Sequence, residues 1–459
     1  MRRRGHPALL AAVLAACGTD PPSLSPGDLG GGDGGKVEDG AAPLDAGVVP
    51  VDGGVVPIDG GVVPIDGGDA SSPHPCVGSK AACPIVPPGL AGGGGLIGID
   101  RCAFSLAPTA AFATNGALLD ALEKITTKVS PAAVAADGNR VAAVVTSVPG
   151  SPAGVDYAVR WNAEDDASTT WIPQGITGTF DADPSGAVGG KRVVLVSFYE
   201  DTTLGKGVRI AFLDVTTPAA PRYRFALLVE PSGSAAAPSF APVDSHAGGI
   251  VWFGGKLYVA QTGTGFRVFD MARILQVAVD QDTVGCTATT CRAGLYKYVI
   301  PQIGVYARGG ACAPIFSFVS LDRSTDPPSL LSGEYCSTTA CSGRFSGKIL
   351  RWPLDPATDL LTRQDAARTT WPDEGFLMGE TQVQGAASRG GAYLLSSSAP
   401  AAGGGALYRV KVGKSATSTF ADAPEDLMVD ASNGRLWGLT EGAGERVVFA
   451  VKLASYPPP

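Results

Sequence analysis

The sequence predicts an all-β protein: a single β-propeller of about six to seven blades, after a signal peptide and a disordered Gly/Pro/Asp-rich linker. Three observations support this fold. Apolar runs are separated by Gly-Gly, Asn-Gly and Asp-Gly turns, which favour hairpins because they accept positive φ angles. Groups of three such runs recur along the chain. Only one long helical pattern accompanies them.

Residues 1–17 read as a lipoprotein signal peptide. Three arginines at 2–4 precede an apolar stretch at 8–16, and small residues then lead directly into Cys17. The pattern resembles bacterial lipoprotein signals, in which this cysteine is lipidated and becomes the mature N-terminus. Gly18 follows instead of the aspartate that retains lipoproteins at the inner membrane. The sequence therefore predicts an exported protein anchored by lipid, at the outer membrane.

Residues 18–75 form a predicted flexible linker. Three tandem heptads of the form GVVP(I/V)DG occupy residues 47–67. Proline and glycine in every unit exclude a helix, so we expect an extended tether with an r.m.s. reach of roughly 40–45 Å. A calcium-binding repeat is the alternative, but each unit offers a single aspartate. No cofactor is predicted, and Ca²⁺ is the one metal that stays open.

The charge balance restricts the partners. The chain has 459 residues and a net charge of −8, without a basic run beyond the signal peptide. Nucleic-acid binding is excluded, because neutralising phosphates needs a basic surface. The expected partners are the membrane, through the lipid, and an envelope protein or polysaccharide.

Residues 76–130 form an N-terminal segment with one helix. Leu118, Leu119, Leu122 and Ile125 make one apolar helical face, and Thr114 or Asn115 is the predicted N-cap. A second, short helix is predicted within 271–277.

Residues 131–459 form the predicted propeller, with six repeated units. The clearest unit has strands at 249–253, 256–260 and 266–270, joined by Gly254-Gly255 and a polar loop. The others begin near residues 133, 189, 316, 384 and 427. Their uneven spacing leaves the blade count open, and a pair of β-sandwiches is the alternative fold.

The segment Ser245-His246-Ala247-Gly248-Gly249-Ile250, with the runs at 257–260 and 266–270, resembles a group of secreted actinobacterial and myxobacterial proteins. Supporting segments lie at 223–229, 316–323, 333–335 and 383–386. The resemblance covers most of residues 100–455. It implies a β-propeller in an extracytoplasmic setting and carries no activity with it.

Eight cysteines remain once Cys17 is set aside, and in an exported protein we expect disulfides. Two pairs are local and close short loops: Cys286 with Cys291, and Cys336 with Cys341. The other four cysteines allow three pairings and are Cys76, Cys83, Cys102 and Cys312. A metal site is the alternative, but neither local pair has a histidine beside it.

His246 is the one histidine within the predicted propeller, and it precedes an inner strand near the channel mouth. This scarcity excludes zinc sites that need two histidines. Asp181 and Glu334 are the candidate carboxylates that would act with it. Asp183 and Glu380 are further acidic candidates for Ca²⁺ binding or for acid–base chemistry on sugars.

The six tryptophans divide into two groups. Three fall on predicted strands and are expected to pack between blades: Trp161, Trp252 and Trp352. The other three are candidates for a sugar-binding surface: Trp171, Trp371 and Trp437.

The leading functional hypothesis is a binding or interaction module on a long tether, with an unknown ligand. The first alternative is a propeller enzyme, either a metal-dependent hydrolase or lactonase or a carbohydrate-active enzyme, with a channel site around His246. A structural subunit of an outer-membrane assembly is the second alternative. The enzyme requires His246 and at least two carboxylates to converge.

Overall fold

The computed structural model describes residues 74–86, 92–337, 347–401 and 404–459. Cys17, the linker up to residue 73 and Cys341 lie outside the described residues. The described part is a β-propeller, which confirms the predicted fold class. It has five blades of four antiparallel strands each, rather than six or seven.

The strands of each blade run outward from the axis in chain order, with one exception in the last blade. Blade 1 has Trp171–Gly178, Val193–Glu200, Val208–Asp214 and Arg222–Ser234. Blade 2 has Ile250–Phe253, Lys256–Gln261, Gly265–Asp270 and Tyr298–Gly309. Blade 3 has Phe318–Asp322, Ser329–Gly333, Lys348–Asp355 and Glu374–Leu377. Blade 4 has Val383–Arg389, Ala392–Ala401, Gly404–Lys411 and Lys414–Thr419. Blade 5 has Pro424–Asp430, Arg435–Thr440, Val447–Lys452 and Val155–Arg160.

The outermost strand of blade 5 closes the ring. Val155–Arg160 precedes blade 1 in the chain but pairs antiparallel with Val447–Lys452 near the C-terminus. The predicted unit near residue 133 is therefore not a blade, and its last strand completes another one. Its first run, 133–135, lies in the helix Pro131–Ala136, because Ser130 caps that helix and Pro131 occupies its first turn.

Five apolar cores hold neighbouring blades together. Side chains of a strand alternate between its two faces, so each blade supplies residues to two cores. Val193 and Leu195 pack against blade 2 beside Trp252, whereas Val194 and Val196 pack against blade 5 beside Trp437. The same division repeats around the ring, between blades 2 and 3, 3 and 4, and 4 and 5.

Further elements cover the outside of the ring. The helix Ala111–Leu122 packs over blades 1 and 2 through Leu119 and Leu122. Its N-cap is Ala110, so Thr114 and Asn115 lie inside the helix and the predicted caps are wrong. Shorter helices are Ala163–Ala167 and Thr179–Ala182, with 3₁₀ turns at Arg101–Ala103, Met271–Arg273, Ala431–Asn433 and Leu453–Ser455. The predicted helix at 271–277 is limited to that 3₁₀ turn and continues as a strand.

The remaining strands lie at blade edges or in hairpins. Ile97–Gly98 extends blade 3, Ser105–Pro108 extends blade 2 and Ala143–Val144 extends blade 5. The N-terminal segment is therefore part of the propeller sheets. The others are Thr127–Val129, Arg140–Val141, Ala237–Pro242, Ile274–Gln276, Val284–Cys286, Cys291–Ala293 and Leu360–Leu361.

Candidate functional site

The five innermost strands run side by side in the same direction. Gly175 in blade 1 lies against Ile250 in blade 2. Two residues further along both strands, Thr177 Oγ1 accepts a hydrogen bond from Trp252 N, so the two strands are parallel. We call the end at which these strands begin the upper mouth. The opposite end is the lower end.

His246 lies at the upper mouth, just before the innermost strand of blade 2. Its ring contacts the ring of Tyr199, at the end of the second strand of blade 1, with centroids 4.4 Å apart. Burial lowers the pKa of His246 to about 4, and the charge of Asp201 opposes this shift. The imidazole is therefore neutral at physiological pH.

Three of the innermost strands are irregular at this mouth. Their pairing shifts register between Pro173 and Ile176, between Val383 and Gly385, and between Pro424 and Leu427. Such bulges redirect side chains and are frequent beside functional sites. The residues within them are Gln174, Gly175, Gln384, Glu425 and Asp426.

Two amide–carboxyl pairs result from these bulges. Gln174 Nε2 donates to Glu441 Oε2 at 2.7 Å, and Gln384 Nε2 donates to Glu425 Oε1 at 3.0 Å. Burial raises the pKa of Glu441, with a further contribution from Asp201, although the hydrogen bond from Gln174 counteracts it. Gln174 and Glu425 are buried, at 3% and 2% exposure, whereas their partners Glu441 and Gln384 are partly exposed at the mouth. The amide of Gln384 can both donate and accept hydrogen bonds, and the carboxyl of Glu441 can accept them.

The backbone at the mouth is conformationally unusual. Ala247, Gln382 and Ala423 have left-handed φ angles of 52°, 53° and 42°, and each lies just before an innermost strand. Residues other than glycine rarely adopt this conformation, and it concentrates at functional sites. Three of the five blades therefore use the same strained approach to the mouth.

The axis below the mouth is filled. Asp426 Oδ2 accepts hydrogen bonds from Ile176 N at 3.2 Å and Ile250 N at 3.4 Å, which joins blades 1, 2 and 5. A Cβ on Gly385 would lie 2.5 Å from Asp426 Cα, so these strands are in direct contact. Burial raises the pKa of Asp426 well above its usual range. A ligand would therefore sit on the mouth rather than inside the axis.

Asp181 lies at the lower end and does not meet His246. It belongs to the helix that follows Gly178, which pairs with Val194 at the start of the second strand of blade 1. Tyr199, beside His246, lies five residues further along that strand, or about 17 Å at the usual rise. The predicted convergence of Asp181 with His246 is wrong, because the innermost strand separates them.

Glu334 is at the upper end, but its carboxylate points outward. It accepts bonds from Ile315 N at 3.0 Å, Lys348 N at 3.1 Å and Lys348 Nζ at 2.9 Å. These contacts occupy both carboxylate oxygens of Glu334, and the charge of Lys348 balances its own. Glu334 therefore cannot act with His246 as predicted.

The other two acidic candidates are also structural. Asp183 caps an exposed turn through Ser185 N, and Glu380 binds Gly93 N and Ser415 Oγ on the outer side of blade 4. Among the described residues, no group of three or more His, Cys, Asp or Glu side chains is placed to hold a metal ion.

All six tryptophans are buried at 9% exposure or less. Trp161, Trp252 and Trp352 pack between blades. The three candidates for a sugar-binding surface are not exposed, because Trp171 and Trp437 pack between blades 5 and 1 and Trp371 is covered by His74, with ring centroids 5.0 Å apart.

The structure assigns some of the disulfide pairings that the sequence left open. Cys76 is bonded to Cys102, and Cys286 to Cys291. Cys336 is disulfide-bonded, while its predicted partner Cys341 lies outside the described residues. Cys83 and Cys312, the two that remain, are neighbouring thiols in the structure, and burial with the Cys83 contact raises the pKa of Cys312 to about 12. Within the described ranges, no helix is long and apolar enough to cross a membrane.

Comparisons with known proteins identify fold neighbours at low similarity. No family model and no curated protein matches the chain. The GH43_1 enzyme from Xanthomonas citri complexed with xylotriose is 9% identical, with 73% of this chain and 92% of that chain covered and a TM-score of 0.28. The β-propeller domain of Cps50 (Swd1) from Myceliophteria thermophila is 10% identical, with coverages of 62% and 98% and a TM-score of 0.28. The RS223 β-xylosidase is 7% identical, with coverages of 61% and 92% and a TM-score of 0.29. The blade assignment therefore rests on the strand order of the chain itself, and no activity is transferred.

Sequence reasoning missed the residues that line the mouth. Gln174, Gln384 and Glu441 resemble ordinary surface residues in the sequence. The acidic pair Glu425-Asp426 carried a usable signal, because it interrupts the apolar strand Pro424–Asp430. Carboxyls inside a buried strand require a specific reason.

Proposed function

We propose that this protein is a lipid-anchored binding module of the cell envelope, and that its upper mouth binds a neutral saccharide. The observation that carries the proposal is the pair of bulged glutamines, each hydrogen-bonded to a glutamate around one mouth. Saccharide hydroxyls both donate and accept hydrogen bonds, and such pairs offer both functions. The Tyr199–His246 ring pair supplies an adjacent apolar surface. The signal-like residues ending at Cys17, with the linker, support the anchor and tether.

Binding is favoured over catalysis because the candidate catalytic groups do not converge. Asp181 is at the lower end, and Glu334 is paired with Lys348. An enzyme remains a second candidate for one reason: burial raises the pKa of Glu441, as a general acid requires. Glu425 would then be the second carboxyl that glycoside hydrolysis uses.

Thermal unfolding of the oxidised chain from residue 18 tests the proposal. The ligands are cellotriose, xylotriose and chitotriose, and the variant is Gln174→Ala with Gln384→Ala. Gln276→Ala is the matched control, since Gln276 is an exposed glutamine on a strand outside the mouth. A ligand at a hundredfold excess over Kd stabilises the folded state by about 2.7 kcal/mol.

We expect at least one trisaccharide to raise the unfolding temperature of the wild type and the control, and the double variant to lose this shift. An equal shift in the double variant, or none in the wild type, would contradict the proposal. Chromatography of the same samples detects cleavage. Cleavage that Glu441→Gln abolishes while the shift persists would favour the enzyme.

A further inference from the structure

A second site lies away from the mouth, on the outer side of blade 1. A cavity of about 210 Å³ is bordered by the outermost strand Arg222–Ser234, by the segment around Arg140, and by the turn that precedes Tyr298–Gly309. Its charged lining residues are Arg140, Arg224 and Lys297. We call it the cationic cleft.

Each cation is held in place from outside the cleft. Arg224 Nε and Lys297 Nζ lie 3.8 and 3.0 Å from the same oxygen, Asp137 Oδ2. Arg140 is fixed through its Nε, 3.2 Å from Asp165 Oδ2, and its guanidinium stacks on the Phe225 ring at 5.1 Å. The cations are thus preorganised, which reduces the entropy lost when a ligand binds.

The charges within this network do not balance. A fourth cation, Arg209, lies behind the three that line the cleft, and its Nη2 is 2.9 Å from Asp165 Oδ1. Asp137 is thus paired with two cations, Arg224 and Lys297, and Asp165 with two others, Arg140 and Arg209, so each set keeps one uncompensated positive charge in a protein whose net charge is −8. The excess of two positive charges matches a dianionic oxyanion.

The turn at the rim shows a further sign of function. Leu295 has a left-handed φ of 70° and is 53% exposed. A β-carbon makes this conformation unfavourable, and an apolar side chain gains nothing from exposure. The surrounding structure must therefore hold this turn, whose residues 294–297 line the cavity.

We propose that the cationic cleft binds a phosphate group. The three cations approach from three chain segments and suit the separate oxygens of a phosphate monoester, whose charge near neutrality is between −1.5 and −2. Asn139 and Tyr296 provide neutral hydrogen-bonding groups at its edge. This site is independent of saccharide binding at the mouth.

Phosphorus NMR titration of the oxidised chain with inorganic phosphate, at constant ionic strength, tests the proposal. Arg224→Gln with Lys297→Gln is expected to weaken binding by roughly tenfold or more, because two charge-assisted contacts are lost. Lys297→Gln alone is the milder variant, with an expected loss of roughly threefold. Lys414→Gln removes the same charge from an exposed position on the last strand of blade 4 and is the control.

Two further probes identify the source of the phosphate. Binding of glucose 1-phosphate in solution would indicate a phosphorylated saccharide. Sedimentation with phosphatidylglycerol vesicles, but not with phosphatidylcholine vesicles, would indicate a lipid headgroup. The proposal is overturned if phosphate does not bind, or if Lys297→Gln and the double variant bind it as tightly as Lys414→Gln does.

Discussion

Replacing Asp165 by alanine should destabilise the junction between blades 5 and 1. Asp165 lies in the helix Ala163–Ala167, between the strand that closes the ring and the first strand of blade 1. Its carboxylate accepts bonds from Arg209 Nη2 at 2.9 Å and from the Tyr223 hydroxyl at 2.6 Å. Arg140 Nε lies 3.2 Å away.

The size of the expected loss in unfolding free energy follows from the burial of the Arg209–Asp165 ion pair. The side chains of Arg209 and Asp165 are only 5% and 8% exposed, so Asp165→Ala leaves a buried guanidinium without a counter-charge. Losing one partner of such a pair costs about 3–5 kcal/mol. The guanidinium cannot move to solvent easily, because it lies between Phe225 and Trp171, at 3.7 and 4.4 Å from their ring centroids. We expect Asp165→Ala to lower the free energy of unfolding by roughly 4 kcal/mol.

Urea unfolding of the oxidised protein at pH 7 measures this loss. The matched control is the double variant Asp165→Leu with Arg209→Met, which removes both charges and should regain at least half of the loss. A loss below about 1 kcal/mol for Asp165→Ala would refute the reasoning, since that is the range of exposed ion pairs. Equal losses in the single and double variants would refute it as well.

Three other predictions concern titration, packing and redox state. Burial raises the pKa of Asp181 from 3.8 to about 7, so between these values the folded state holds a proton that the unfolded state has released. The Asp181 contribution to stability should therefore fall by roughly 4 kcal/mol between pH 4 and pH 7, and urea unfolding should show that Asp181→Asn reduces the pH-dependent loss by about this amount; the same pH dependence in Asp181→Asn and the wild type would contradict it. Gly249→Ala should prevent ring closure or lower the unfolding temperature markedly, because its Cβ would overlap the backbone at Val319; near-wild-type unfolding in calorimetry would contradict the contact. Cys83 and Cys312, neighbouring thiols here, should form a disulfide when the folded chain is oxidised, which non-reducing peptide mapping detects; two alkylated thiols in the oxidised protein would contradict it.

Local patterns in the sequence were sufficient to predict the blades that are contiguous in the chain. The strands at Ile250–Phe253, Lys256–Gln261 and Gly265–Asp270 lie where the turn residues indicate. The prediction of six to seven blades was wrong because the ring is closed by a pairing between distant parts of the chain. Val155–Arg160 pairs with a strand almost 300 residues later. The strand predicted at 133–135 is instead helical, because Ser130 and Pro131 before it favour a helix start.

The site was only partly predictable. His246 could be placed near the mouth, because it directly precedes a clear repeat. Its partners could not be found, since Gln174 and Glu441 come from blades 1 and 5 and meet through a bulge and ring closure. Asp181 was misplaced because position before a strand does not say which end of the ring a connecting helix occupies.

Hydrogen–deuterium exchange tests saccharide binding at the upper mouth most directly. The probe is whichever of the three trisaccharides raises the unfolding temperature most, at saturating concentration, with the Gln174→Ala/Gln384→Ala variant measured alongside. We predict slower exchange in three segments of the wild type, 244–249, 381–385 and 423–426, and no change in the variant. Protection confined to other parts of the ring, or equal protection in the variant, would contradict binding at the mouth.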